Sequence, residues 1–92
     1  MNIIIQEIYK ANQDKEKELQ VMLSKLLFSS VQEEGCVCFE VYQSDDDEAE
    51  FLLYSEFKDK EALIAHEESF HINMFNTKSQ ELVARKETLP TL

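Results

Sequence analysis

Glycine, proline, cysteine and tryptophan are scarce in this sequence, with one glycine, one proline, two cysteines and no tryptophan among 92 residues. A single glycine, Gly35, excludes the phosphate-binding loop, the dinucleotide-binding fingerprint and the nucleophile elbow, because each of these motifs needs more than one glycine. Cys36 and Cys38 would point to the same face of a strand, which is an awkward arrangement for a disulfide. A CxC pair alone is also a weak metal signal. We interpret the two as small buried side chains in a reducing compartment.

Basic residues and long apolar runs are scarce too. Nine Lys and Arg stand against 19 Asp and Glu, giving a net charge of −10, and no basic cluster offers a footprint for phosphates. We therefore expect neither nucleic acid nor an anionic membrane as a partner. The longest apolar runs, such as Ile3 to Ile5, are too short to span a bilayer, and Gln6 and Glu7 interrupt any leader peptide. We expect one cytoplasmic domain covering residues 1–92.

The spacing of apolar residues predicts an α+β fold. Alternation indicates strands, and apolar residues at steps of three and four indicate helices. The expected elements are a strand over Asn2 to Ala11, a helix from Asn12 or Asp14 to Glu33, strands over Cys36 to Gln43 and Phe51 to Phe57, helices from Asp59 to about His66 and from about Phe70 to Arg85, and a short last strand within Lys86 to Leu92, which Pro90 confines to an edge or a strand end. This order is the split βαβ, or ferredoxin-like, pattern, an antiparallel sheet with helices on one face.

Local chemistry predicts several details of these elements. The first helix is expected to stop at Gly35, because helices commonly end with a glycine in the left-handed conformation. Val37, Phe39 and Val41 share one face of the second strand, and Asp59 is the expected N-cap of the second helix. The residues expected to face inward are Leu19, Met22, Leu23, Leu26, Leu27 and Val31 in the first helix, Ala62, Leu63 and His66 in the second, and Phe70, Met74, Phe75, Leu82 and Val83 in the third.

The predicted sheet has apolar residues on both faces. Apolar side chains occur at both odd and even positions, which point to opposite faces, in Ile3 to Ile5, Cys36 to Phe39 and Phe51 to Tyr54. A face that meets water should instead be polar. A chain of this size has no second helical layer to cover that face. We therefore expect a homodimer in which two copies pack sheet against sheet.

Both histidines of the chain lie in the segment HEESFH, His66 to His71. Residues five apart in a continuous helix are separated by about 140°, whereas the ligands of an HExxH zinc motif are about 40° apart and share a face. In a continuous helix His66 and His71 therefore cannot chelate one ion as a pair. A break between them would bring them together, but no motif then supports a zinc site, and none is assigned.

His66 alone has two interpretations. It follows Leu63 by three residues and precedes Phe70 by four, which places it on the inward stripe of its helix. It is either a buried neutral imidazole bonded to a backbone carbonyl or strand side chain, or a proton acceptor or donor in a cavity. His71 is expected at the surface or at the rim of a cavity.

Several stretches in one order resemble the antibiotic biosynthesis monooxygenase family of dimeric α+β barrel proteins. The family order is E-x-G-C, a strand, E-x-W or E-x-F, D-x-x-A-L-x-x-H, and a segment like S-x-H. The matching stretches here are Glu34-Gly35-Cys36 leading into CVCFEVYQS, FLLYSEF, Phe57-Lys58-Asp59 with Ala62, Leu63 and His66, and Ser69-Phe70-His71. The resemblance covers nearly the whole chain. It implies a protomer that dimerises through its sheet and holds a ligand cavity between sheet and helices, with Ser55 at the family's strand carboxylate and Glu56 on the opposite face.

The resemblance also implies a chemistry. Members include cofactor-independent oxygenases of quinols and aromatic polyketides, haem-degrading enzymes and an isomerase, and the lack of tryptophan disfavours the haem branch. We expect no cofactor and no metal, since a base that removes a phenolic proton leaves an anion that O₂ oxidises directly. The predicted catalytic residues are His66, as the base, and Tyr54, which orients the substrate oxygen. The predicted binding residues for a small quinol-like or phenolic substrate are Phe39, Phe57, Phe70, His71 and Met74.

Two other functions stay open. The displaced Glu56 and the lack of other convergent polar groups suit a binding module whose cavity only holds a small hydrophobic metabolite. Isomerase chemistry, with His66 moving a proton, is the third possibility. Fold resemblance supports the architecture more strongly than it supports any one of these chemistries.

Overall fold

The four strands form one antiparallel sheet in the order β2-β3-β1-β4, and a computed structural model describes residues 2–90 of the chain. The elements are β1 (Ile3–Ala11), α1 (Glu16–Ser30), β2 (Cys36–Gln43), β3 (Glu50–Phe57), α2 (Lys60–Glu67), α3 (Phe70–Lys78), a 3₁₀ turn (Ser79–Glu81) and β4 (Val83–Leu89). This confirms the ferredoxin-like α+β fold, and the bounds of β2 are those predicted. No helix within residues 2–90 is both long and apolar enough to cross a bilayer.

Side chains alternate between the two faces of the sheet, and the helices cover one of them. Along β3 every second residue is buried, beginning at Phe51 and ending at Phe57, and the residues between are only partly buried. This helix-covered face packs on the stripe of α1 and on Phe75 of α3. The resulting core consists of Tyr9, Ala11, Leu19, Leu23, Leu26, Phe39, Phe51, Leu53, Phe75 and Leu82.

The opposite side of the sheet is called the open face below. The register pairs Ile8 with Leu52 and Gln6 with Tyr54 across its two central strands. Its members are Ile4, Gln6, Ile8 and Lys10 of β1, Cys38, Glu40 and Tyr42 of β2, Leu52, Tyr54 and Glu56 of β3, and Arg85, Glu87 and Leu89 of β4. The two-sided apolar pattern of the sequence is therefore present in the sheet.

Val37 departs from the predicted alternation. The register between β2 and β3 shifts between Cys36, which pairs with Phe57, and Cys38, which pairs with Glu56. Such a bulge inserts one residue and reverses the side-chain alternation next to it. Val37 is consequently 53% exposed while Phe39 is 5% exposed, so the prediction that both lie on one face is wrong.

Helix α1 is shorter than predicted at both ends. Its N-cap residue is Lys15, without a side-chain hydrogen bond, and Asp14 has a φ of 65° in the turn before it, so neither Asn12 nor Asp14 caps the helix. The helix ends at Ser30. Val31 is the C-cap residue and is 46% exposed, which corrects its predicted inward position. Val31 still has helical dihedral angles and donates to Leu27, but it lies beyond Ser30, the last buried residue of α1.

Gly35 serves close packing and not a left-handed cap. Its φ is not positive, and a Cβ placed on it would lie 2.2 Å from the Cβ of Ala62 in α2. Carbon atoms in contact are about 3.5–4.0 Å apart. The glycine therefore allows the segment between α1 and β2 to touch α2.

Ser69 separates α2 from α3. Its backbone N–H and its hydroxyl both donate to the carbonyl oxygen of His66, at 3.1 and 2.7 Å. Its Oγ also accepts from the backbone N–H of Ile72 at 3.4 Å, as the N-cap of α3. One serine thus ends one helix, begins the next, and turns the chain between His66 and His71.

Helix α3 ends at Lys78 and not at Arg85. The residues from Val83 onward pair with β1, where Ala11 opposes Val83 and Gln6 opposes Leu89. This pairing satisfies the backbone groups on the edge of β1 that β3 does not reach. Phe70, the first residue of α3, is 78% exposed. The prediction that it faces inward is wrong because the Ser69 turn reorients the helix. The predicted last strand exists, with Thr91 and Leu92 outside the described residues.

The predicted N-cap of α2 is confirmed and gives a stability test. Asp59 is extended, and its Oδ1 accepts from the backbone N–H of Ala62 at 2.8 Å. We expect Asp59→Ala to lower the free energy of unfolding by about 1 kcal/mol, since one helix-terminal donor loses its partner. Urea denaturation measures the change, and Asp59→Asn, which keeps the acceptor, is the control. Equal losses in the two variants would contradict a capping role.

Candidate active site

His66 lies in the last turn of α2 and points toward the sheet. It is 7% exposed. Its ring centroid is 4.8 Å from that of Phe57 and 5.8 Å from that of Phe39. The predicted inward position of His66 is confirmed, and so is its neighbourhood with two of the predicted aromatic residues.

Glu33 holds the His66 ring from the segment between α1 and β2. Its Oε2 is 2.7 Å from Nδ1 of His66. For a neutral imidazole this contact requires Nδ1–H as the donor, which leaves the lone pair on Nε2. Nε2 of His66 has no hydrogen-bond partner within residues 2–90. Among the described residues, the only side-chain N or O atom that is both fully buried and without a partner is Ser30 Oγ, so Nε2 is not fully buried. Nε2 is therefore accessible to a small molecule.

His71 contacts the same carboxylate oxygen. Its Nε2 lies within hydrogen-bonding distance of Glu33 Oε2, and its ring centroid is 5.8 Å from that of His66. The turn at Ser69 makes this possible, because the 140° separation holds only within one helix. Glu33, His66 and His71 form what we call the His-Glu-His cluster. Its members come from three separate stretches of the family pattern.

A cavity of about 230 Å³ lies between the helix-covered face and helices α2 and α3. Phe39, Phe57 and His66 line it together. The remaining lining is Ile5, Glu7, Tyr9, Leu53, Ser55, Leu63, Glu67, Ile72, Asn76 and Lys86. The cavity thus has apolar walls and several polar groups, which corrects the expectation that convergent polar groups are lacking.

Three of the polar groups form one chain of contacts at the sheet. Lys86 Nζ is 3.1 Å from Glu7 Oε2 and 5.6 Å from the centre of the Tyr9 ring. The Tyr9 hydroxyl donates to Glu7 Oε1 at 3.3 Å. Burial, with the adjacent Glu7 carboxylate, raises the pKa of Tyr9 far above its usual range. Tyr9 is therefore a neutral phenol at neutral pH, able to donate but not to act as a base.

The sheet separates Tyr54 from His66. Tyr54 alternates with Leu53 and Ser55, which line the cavity, and pairs with Gln6 and Glu40 on the open face. The predicted partnership of Tyr54 with His66 is therefore corrected. Along β3, Ser55 is 4% exposed and faces the cavity, whereas Glu56 lies on the open face as expected.

The other predicted binding residues lie elsewhere. Phe70, His71 and Met74 line a second, shallower groove of about 330 Å³ between α1 and α3. They do not line the His66 cavity, and the turn at Ser69 is the reason, because it directs the start of α3 away from the sheet.

Sequence reasoning missed Glu33 and Tyr9 as site residues. The alternation of side chains along β1 could have placed Tyr9 in the cavity, since Tyr9 shares a face of the strand with Ile5 and Glu7. Glu33 had a weaker signal, its place two residues before the glycine of the E-x-G-C pattern. No local spacing indicates its contact with a histidine 33 residues further along the chain.

The fold and the site define a ferredoxin-like α+β protein with a cavity between its sheet and helices. The sequence profile described as "Antibiotic biosynthesis monooxygenase" matches residues 1–78. The chain belongs to this family.

Individual proteins resemble the chain in sequence or in fold. The chain is 27% identical over 82 residues to YcnE of Bacillus subtilis, named as a candidate monooxygenase, covering 89% of this chain and 86% of that protein. It is 24% identical over 83 residues to the uncharacterized protein sll1783 of Synechocystis, covering 90% of this chain and 56% of that one, so it spans about half of that relative. A solved structure from Nitrosomonas europaea, described as a candidate antibiotic biosynthesis monooxygenase, superposes with a TM-score of 0.90 at 21% identity, over 96% of this chain and 86% of that chain.

Proposed function

We propose that the chain is a monooxygenase that oxidises a quinol-like or phenolic small molecule with O₂ and needs no metal or flavin. The observation that carries the proposal is His66, held through Nδ1 by Glu33 with Nε2 accessible, beside a cavity walled by Phe39 and Phe57. The family supplies the general monooxygenase character. The substrate class and the role of His66 are our inference.

The size and walls of the cavity suit a single aromatic ring. A cavity of about 150 Å³ can hold benzene, and this one measures about 230 Å³. Phe39 and Phe57 offer faces and edges for offset stacking. The Lys86 ammonium lies at the sheet side, where an N–H that does not contact Glu7 would donate to a substrate oxygen.

In the proposed reaction His66 Nε2 accepts the phenolic proton of the substrate. Loss of that proton makes the ring electron-rich enough to reduce O₂, and the apolar walls keep water from the anion. One oxygen atom then bonds to a ring carbon, and the other leaves as water with two hydrogens from the quinol. The substrate finishes at the quinone level, so O₂ is the only oxidant and no external reductant is consumed. Glu33 stabilises the imidazolium, as a carboxylate behind a catalytic histidine does.

Oxygen consumption tests the proposal. Purified protein is given a panel of hydroquinones and phenols in an oxygen electrode, and we expect uptake with at least one of them. His66→Ala should lower the rate by about 10²–10⁴-fold, the usual contribution of a positioned base. The matched control is Ile64→Ala, which truncates an exposed side chain of the same helix that neither lines the cavity nor belongs to the His-Glu-His cluster. Uptake that is no greater with the native protein than with His66→Ala would remove the oxygenase proposal.

The same experiment separates the two alternatives. Glu67 and Glu7 also line the cavity, so a second proton acceptor is present for an isomerase. Product formation under argon would identify isomerisation. A ligand that raises the melting temperature and is recovered unchanged in air would identify a binding module.

We also propose that the protein acts as a homodimer through its open face and in the cytoplasm. Apolar side chains on that face, above all Ile8 and Leu52, support the dimer. Cys36 and Cys38 are both free thiols, which suits a reducing compartment.

A further inference from the structure

We propose that the His-Glu-His cluster binds a divalent transition-metal ion of the zinc type. One ligand atom each of Glu33, His66 and His71 lies within 4.8 Å of the other two. Two imidazoles and one carboxylate are a donor set that Zn²⁺ accepts with tetrahedral geometry. Mg²⁺ and Ca²⁺ prefer oxygen ligands and are disfavoured by two imidazole nitrogens.

Small side-chain movements would open the cluster for an ion. Ligands at about 2.0–2.1 Å from a tetrahedral ion are about 3.3 Å apart. Glu33 Oε2 is 2.7 Å from His66 Nδ1 and closer still to His71 Nε2. Glu33 Oε2 must therefore move away from both nitrogens by roughly 1 Å or less, and the two nitrogens, which lie within 4.8 Å of each other, must come to about 3.3 Å. Glu33 lies between α1 and β2, outside any helix or strand, and its side chain can make this adjustment.

The backbone holds the two histidines in place without an ion. Ser69 locks the corner between α2 and α3 through its hydrogen bonds to the His66 carbonyl and from the Ile72 N–H. Both imidazoles project from opposite sides of this corner toward Glu33. Pre-organisation of this kind lowers the cost of binding, because few side-chain rotamers remain to be fixed.

The cluster is shielded but not closed. The side chains of His66, Glu33 and His71 are 8%, 18% and 24% exposed. A surface groove lined by Glu33, Glu34 and Ser69 leads to it. An ion could therefore enter and keep a water molecule as a fourth ligand, as metal sites with three protein ligands do. The net charge of −10 favours the approach of a cation.

Metal binding would change the chemistry at the cavity. In the hydrogen-bonded state Nδ1–H of His66 donates to Glu33 and Nε2 is an acceptor. An ion bound at Nδ1 requires the lone pair of that nitrogen, so the proton of the neutral ring moves to Nε2. His66 would then face the cavity as a donor. If the proposed oxygenase function holds, the bound ion prevents His66 from acting as the base.

Metal titration tests the site directly. Protein freed of metal with EDTA is titrated with Zn²⁺ by calorimetry and with Co²⁺ by visible absorption, and we expect saturation at one ion per chain. Loss of a second-shell residue lowers metal affinity by about 10–100-fold, so His71→Ala and Glu33→Gln, which remove ligands, should each lower it by at least about 100-fold. Glu34→Gln is the matched control, an adjacent exposed glutamate outside the cluster. The double variant Cys36→Ser/Cys38→Ser should also bind as the native protein does.

The outcomes separate the metal proposal from the oxygenase proposal, since ion binding needs no turnover. No saturable binding by the native protein would overturn the metal site, and the cluster would be a hydrogen-bonded one only. Unchanged binding by His71→Ala would also overturn it and would indicate adventitious binding to surface carboxylates. His71 is a quarter exposed, so His71→Ala decides the question even if Glu33→Gln does not fold.

Discussion

Gly35→Ala is expected to destabilise the protein by more than its single added methyl group suggests. The new Cβ would lie 2.2 Å from the Cβ and 3.3 Å from the Cα of Ala62, so the segment before β2 and the first turn of α2 must move apart. Overpacking of this kind costs about 1–3 kcal/mol and occasionally more. For a domain of this size each kcal/mol lowers the melting temperature by about 4–8 °C. Thermal and urea unfolding of the two proteins measure the loss.

The double variant Gly35→Ala/Ala62→Gly tests whether this contact is the cause. Ala62→Gly alone should cost about 1 kcal/mol, because glycine is the poorer helix former. In the Gly35→Ala background it should instead restore stability, since it removes the atom that clashes. If Gly35 were needed for a left-handed backbone, Ala62→Gly would lower stability further. Additive losses in the double variant would therefore contradict the packing explanation.

Most of the fold could be predicted from the sequence because it depends on local periodicity. The buried positions Leu19, Leu23 and Leu26 repeat at helical spacing, and the strand β2 was bounded correctly by polar and glycine residues. The ends of the helices and strands were harder to predict than their centres. A glycine after an apolar stripe is typical of a left-handed cap, and only the packing of Ala62 shows that Gly35 has another role. Likewise, the shift of Val37 depends on the register of a strand pair.

The candidate site was predicted only in part. Helical periodicity placed His66 inward, and Phe57 and Phe39 were predicted beside it from their aromatic side chains and the family resemblance. The same alternation excludes Tyr54 from the cavity, since Ser55 faces it. The argument from helical angles separated His66 from His71 correctly for one helix but not across the turn at Ser69. Contacts of that kind are tertiary and leave no local spacing in the sequence.

Four positions in the family pattern act together in the structure. The absence of a Cβ at Gly35 lets the segment before β2 approach Ala62. That approach places Glu33, two residues earlier, against His66, four residues after Ala62 on the same helix. The close packing at Gly35 therefore helps to position Glu33, which in turn orients His66. We expect Gly35→Ala to weaken the Glu33–His66 hydrogen bond as well as the fold.

The open face has the distribution of apolar and charged residues that the proposed dimer needs. Ile8 and Leu52 oppose each other on the two central strands, with Tyr54 and Leu89 nearby. Charged residues, including Lys10 and Glu56, also occur on this face. An apolar centre with polar surroundings is typical of a protein–protein interface, and a two-fold axis would place Leu52 of both copies in the buried region.

Leu52→Lys is expected to convert the dimer to a monomer. An uncompensated charge in a buried interface costs about 3–5 kcal/mol, and two-fold symmetry introduces it twice, so the dissociation constant should rise by at least about a thousandfold. Light scattering during size-exclusion chromatography should give twice the 10.8 kDa chain mass for the native protein and the single mass for the variant. Ile64→Lys is the matched control, because Ile64 is 42% exposed on α2, away from the sheet. A native protein that is monomeric at micromolar concentration, or a Leu52→Lys variant that stays dimeric, would show that the open face is not the interface.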